Sequence, residues 1–138
     1  MSGRSFLDTN VLVYAYDPTD PRKQEIAEDL VKQAMMGNAV ISTQVLAEFA
    51  TTVLNKVAVG RMPAELIAML DILAPIRVVV PDGDMVRRAV EAHAAYAVHF
   101  YDGMIVAAAE RAGCEKIWSE DFNPGQKYFG VTVANPFA

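Results

Sequence analysis

The chain has 138 residues, 53% of them hydrophobic and 21% charged, with a formal net charge of −5. This fits one globular domain over residues 1–138 with a single sizeable core, and it excludes a disordered chain or a protein that binds nucleic acid simply by being basic. A local basic rim around an acidic, metal-filled pocket stays open, and no apolar run nears the ~18 residues that cross a bilayer.

The opening MSGRSFLD has no long apolar stretch ahead of its polar residues, so no secretory signal is expected. SFLDTNVLVYAY is an almost unbroken apolar run with one carboxylate, Asp8, set into it. It predicts a short strand through FLD and a turn at Thr9 and Asn10. DPTDP (17–21) is a loop, because two prolines and two aspartates break a helix. RKQEIAEDLVKQAMMG (22–37) has the spacing of a helix, with Ile26, Leu30 and Ala34 on one stripe and Gly37 as the stop. AVIS (39–42) predicts a buried strand. A helix over 43–57 follows, which Thr43 can cap. GRMP breaks it, and PAELIAMLDILA (63–74) starts a helix with proline in its first turn. RVVV (77–80) is a strand closed by Pro81. Two further helices are predicted over 82–97 and 101–113, then strands at KIWS (116–119) and GVTVAN (130–135).

Strands that alternate with helices, short and apolar on both faces, imply an α/β three-layer sandwich: a mostly parallel central sheet with helices on both sides. In such sheets sites lie outside the carboxyl ends of the strands. Asp8 ends the first strand, Glu48 lies in the second turn of the helix after AVIS, Asp102 opens a late helix, and Asp121 follows KIWS. All four acids are expected at one edge. Crowded there, they repel, and one or more stays protonated unless a divalent cation compensates. Oxygen-only donors of this kind suit Mg2+ or Mn2+.

Each acid has a plainer reading. Asp8 and Asp102 can serve as helix caps, although at ~100° per residue Asp102 shares a face with Ile105, Val106 and Ala109. Glu48 falls opposite the apolar arc of Val45, Leu46, Phe49, Ala50 and Val53, as a solvated glutamate does. Its flanks, Gln44, Thr51, Thr52 and Asn55, are uncharged, as a groove lining is. Aspartate after a strand, as at Asp121, is common in turns.

Taken in order, FLDTNVLVYAY, AEF, YDGMIVAAA, IWSEDF and GVTVANPF resemble the PIN domain family, most closely the toxins of bacterial VapBC-type toxin–antitoxin pairs. The resemblance spans nearly the whole chain. It implies a metal-dependent endoribonuclease in which Asp8, Glu48, Asp102 and Asp121 form the catalytic, metal-binding set. Asn10 and Ser119 match supporting polar positions, and Asn123 is a weaker addition. It implies Mg2+ or Mn2+, a water nucleophile leaving a 5′-phosphate and a 3′-hydroxyl, a homodimer, and a small antitoxin partner whose arginine blocks the acids. RNA is the implied substrate, and the −5 charge is in mild tension with it.

Lys56 and Arg61, placed after the Glu48 helix, are the candidate RNA contacts, with Arg87 and Arg88 as further phosphate candidates. His93 and His99 lack a partner at ligand spacing, and Trp118 reads as core. The single Cys114 forms no internal disulfide. With no CxxC or Cys/His cluster, zinc is not expected, and a reducing cytoplasm is the expected compartment. Among rival functions, a haloacid-dehalogenase-type phosphatase wants a second Asp where Asn10 stands. A receiver domain wants an adjacent acidic pair and a late lysine, and neither is evident. A non-catalytic metal- or partner-binding module and a DNA-directed nuclease of similar architecture remain open.

Overall fold

The computed structural model describes residues 4–55 and 62–138. Its elements are β1 (Arg4–Leu7), α1 (Thr9–Ala15), α2 (Pro21–Met35), β2 (Ala39–Ser42), α3 (Thr43–Asn55), α4 (Pro63–Leu73), β3 (Arg77–Val79), α5 (Gly83–Tyr96), α6 (Phe100–Arg111), β4 (Cys114–Trp118), β5 (Lys127–Tyr128) and β6 (Val131–Ala134). The strands form one sheet in the order β3-β2-β1-β4-β6-β5, parallel except where β5 meets β6. Phe6 and Leu7 of β1 and Ile117 of β4 are fully buried, as expected for central strands covered on both faces.

α1 packs on α2 and α3, while α5 packs on α6. The right-handed rule for parallel crossovers places α1 to α4 on one face and α5 and α6 on the other. The expected fold class, an α/β sandwich with a mostly parallel sheet, is the one observed.

The expected turn at Thr9 and Asn10 is instead the first turn of α1. The run VLVYA gives no helical signal of its own, because its side chains are apolar and two of them are β-branched. Asp8 decides otherwise: its extended backbone and its carboxylate, which accepts from the Thr9 N–H at 2.8 Å, start a helix. Burial of Val11, Leu12, Val13 and Ala15 then holds that helix against its neighbours. The two-residue β5 carries no alternation for the sequence to reveal. β4 begins earlier than KIWS, at Cys114, and its pairing with β1 shifts register between Arg4 and Ser5.

α5 and α6 form a tightly tied pair. Arg111 places its guanidinium on the Asp82 carboxylate at 2.8 and 3.1 Å. Arg111 and the Met85 N–H together hold the Asp82 carboxyl down at about 2. Arg88 grips Glu110 through two 2.8 Å bonds and lies 3.5 Å from the Phe129 ring centre. It is thus engaged within the fold. At the crossing, a Cβ on Gly103 would stand 2.6 Å from the carbonyl oxygen of Ala89, so the glycine sets how closely the helices approach. Gly103→Ala must push α6 away from α5, a backbone shift costing about 1–3 kcal/mol. Urea unfolding of the variant is expected to show that loss, although alanine is ordinarily the better helix former.

Candidate active site

β1 pairs with β2 on one side and with β4 on the other, both in parallel. The chain therefore leaves the carboxyl end of β1 on one side and returns beside it on the other, the switch point where open α/β sheets place their sites. The Leu7–Trp118 pair is the last in register, so Asp8 and Ser119 emerge side by side, and the Asp8 N–H donates to the Trp118 carbonyl at 3.1 Å. Glu48 comes up on α3, Asp102 on the first turn of α6, and Asp121 on the segment leaving β4. The Gln44 side-chain amide donates to the Tyr101 carbonyl at 3.1 Å, tying the starts of α3 and α6 across this edge.

These four carboxylates line one open cleft of about 350 Å³, together with Thr9, Asn10, Val13, Tyr14, Thr52 and Ile105. No lysine or arginine is among the described lining residues.

Asp8 is the buried member, 7% exposed. One of its oxygens accepts from the Thr9 N–H and the other from the Ser119 hydroxyl at 2.7 Å. Burial pushes its carboxyl up to about 6; the Ser119 and Thr9 donors oppose the rise, and the charges of Asp121 and Glu48 add to it. Its position resolves the choice between cap and strand-end acid, because it is both at once. Asp102, half-buried, is also raised, chiefly by burial; nearby His99 opposes the rise while Asp121 and Glu48 reinforce it. His99 precedes α6 as its capping residue without a side-chain capping bond, and the His93 Nδ1 lies 2.7 Å from the Val98 carbonyl.

Ser119 is fully buried and uses its hydroxyl completely. It donates to Asp8 and accepts from the Asp121 N–H at 3.1 Å and the Asn10 amide at 3.2 Å. The Asn10 amide also donates to the Asp121 carboxylate at 3.0 Å. The Asn10 Oδ1 is buried without a protein donor. Glu48 is exposed, as its helical wheel predicts, yet it is not idle: the Thr9 hydroxyl donates to it at 2.8 Å. Asn123 bonds Gln126 at 3.1 Å and stands outside the cleft lining. Lys56 and Arg61 lie outside the described residues.

Sequence reasoning treats Thr9 only as a turn residue and misses its hold on Glu48, a contact between residues 39 positions apart. It also gives no role to Tyr14, one of the apolar run SFLDTNVLVYAY, whereas Tyr14 lines the cleft. The uncharged flank of Glu48 was the available signal for Thr52.

The donor chemistry suits a hard cation. It is all oxygen, mostly carboxylate, with an orphaned amide oxygen beside it that a hydrated ion can satisfy. Among the described residues, however, no three His, Cys, Asp or Glu side chains are gathered tightly enough to hold one ion directly. Unneutralised carboxylates stand apart, and a magnesium ion keeps several of its waters, so water-bridged holding is compatible with this spread.

Residues 5–129 match the model of the PIN domain family, and the chain belongs to that family. No curated protein matches its sequence. Among solved structures it is similar to a toxin–antitoxin complex from Klebsiella pneumoniae (17% identity, 96% of this chain and 97% of that one, TM-score 0.68). It is also similar to the sarcin–ricin loop cleaving toxin VapC20 of Mycobacterium tuberculosis (19% identity, 93% and 98%, TM-score 0.66). DNA-bound VapBC from Salmonella typhimurium is a third (18% identity, 99% of each chain, TM-score 0.69). At such identities the likeness is one of fold.

Two outcomes follow from this geometry. Raising the Asp8 carboxyl from 3.8 to about 6 means that the folded, metal-free protein holds a proton the unfolded chain has released. The stability this confers is complete below the unfolded value and is lost as pH rises through the folded one, about 3 kcal/mol in all. The unfolding free energy of wild type minus that of Asp8→Asn is therefore expected to fall by about that much from pH ~3 to pH ~7 in chelator, read by urea titration. Ser119→Ala leaves two donors and an acceptor without their partner, and a loss of about 1–3 kcal/mol is expected in the same assay.

Proposed function

We propose that this protein is a divalent-metal-dependent endoribonuclease, the toxin of a VapBC-type toxin–antitoxin pair. The observation that carries the reading is the convergence of carboxylates from separate segments on one cleft with no cationic side chain among its described lining residues. At Asp8 that surplus of charge adds to a carboxyl already raised by burial. Asp8 and Asp102 are the proposed direct donors to Mg2+ or Mn2+, and Glu48 and Asp121 bind a second ion or hold its waters. When bound, the ion supplies an acidified water as nucleophile and offsets charge on the phosphoryl oxygens. Ser119 orients Asp8, Asn10 orients Asp121, and Thr9 orients Glu48. A water nucleophile leaves a 5′-phosphate and a 3′-hydroxyl.

We propose a second copy of the chain and a small antitoxin as partners, and the cytoplasm as compartment. The toxin–antitoxin assemblies among proteins of this fold support the partner reading. Among the described residues no helix is long and apolar enough to cross a membrane. An arginine of the antitoxin suits the cleft, since a guanidinium fork matches a carboxylate. The same gathering of acids also suits one rival, a binding module that holds a cation or a partner without catalysis.

Incubation of structured RNA and of matched DNA with Mn2+ or Mg2+, with and without chelator, separates these readings. Metal-dependent cutting of RNA is expected, with loss of at least about 100-fold in Asp8→Asn and Asp102→Asn. Tight metal binding with no cutting of either polymer would establish the rival, and preferential cutting of DNA would change the substrate.

A further inference from the structure

One polar cluster beside the cleft has no part in the function proposed so far. Tyr14, on the second turn of α1, lines the cleft, and its hydroxyl donates to one oxygen of Glu120. The other oxygen of Glu120 accepts from the Lys23 ammonium of α2 at 3.0 Å, and the same ammonium lies 3.3 Å from the Tyr14 hydroxyl. All three residues are partly buried. The Lys23 ammonium also stands 4.8 Å from the centre of the Tyr14 ring. The three groups thus close a triangle across α1, α2 and the segment after β4. The Glu120 carboxylate holds the Tyr14 hydroxyl proton, which raises the Tyr14 pKa.

The place of Glu120 in the chain gives the cluster its significance. It sits between Ser119, which is locked under Asp8, and Asp121, which is exposed and held in the cleft by Asn10. The backbone at Asp121 has one described anchor from the site itself, the bond from its N–H to Ser119. Glu120 adds a second anchor by fastening the intervening residue to α1 and α2. Lys23 also neutralises a carboxylate that would otherwise repel the acids alongside it.

We propose that Lys23, Glu120 and Tyr14 form a brace that sets the position of Asp121, and through it the affinity of the cleft for its metal. They are positioning residues, and the proposal rests on the metal-dependent reading above. Tyr14→Phe removes one arm without changing charge, so its effect on a cation is one of position. Lys23→Gln removes the other arm, and Lys23→Arg retains a donor able to reach Glu120.

The test is calorimetric titration of each full-length variant with Mn2+, well below its melting temperature, beside steady-state RNA cleavage. Tyr14→Phe and Lys23→Gln are expected to weaken Mn2+ binding by about tenfold, the lower end of what partners of metal ligands contribute. They should lower kcat at fixed Mn2+ with KM for RNA unchanged, and Lys23→Arg should restore most of the affinity. Unchanged Mn2+ affinity in both variants, while the wild type binds and cuts, overturns the brace alone. A rise in KM and a shallower salt dependence for Lys23→Gln, with Mn2+ affinity intact, would make Lys23 a phosphate contact instead. A wild type that binds no Mn2+ overturns the metal reading itself, and the brace falls with it.

Discussion

The cleft depends on one hydroxyl group. Ser119 has a single hydrogen to give and two lone pairs to offer, and it spends all three on the edge of the sheet where β1 and β4 end. Its hydrogen fixes a buried carboxylate, its lone pairs fix the amide of Asn10 and the backbone of Asp121, and none of its surface is left to solvent. Asp8, Asn10 and Asp121 are more than a hundred residues apart along the chain between first and last, yet they meet at one oxygen. Alanine in its place removes every one of these bonds.

Around that point the fold gathers charge that it does not itself neutralise. Elsewhere the protein pairs its ions with care. Arg88 is matched to Glu110, Arg111 to Asp82, and Lys23 to Glu120. In the cleft the carboxylates have hydroxyl and amide donors but, among the described residues, no cationic side chain lining the same space. Hydrogen bonds orient an anion without cancelling it, so the site keeps a field that attracts a cation from solution.

Much of this was legible in the residues. The alternation of short apolar strands with helices points to a mostly parallel sheet, and the rule on strand ends puts the acids at one edge, as the fold does. Glu48 was legible only in part. Its wheel correctly put it on the exposed side, but exposure and participation are compatible, and only the fold reveals that the exposed side faces Asp8. The helix α1 was hidden because its side chains are apolar nearly all round, which erases the period that separates helix from strand. The hold of Thr9 on Glu48 and the triangle of Tyr14, Lys23 and Glu120 had no local signature, being made of residues whose separations along the chain carry no periodic pattern.

The sheet ends on one side in β3, three residues long, and on the other in β5, which has two. Neither border offers enough unpaired backbone for a foreign strand to extend the sheet, a common route to both peptide capture and aggregation. Any protein that associates with these described borders must therefore do so through side chains on helices and loops. That allows its grip to be tuned one residue at a time, without the fixed strength of a shared backbone ladder.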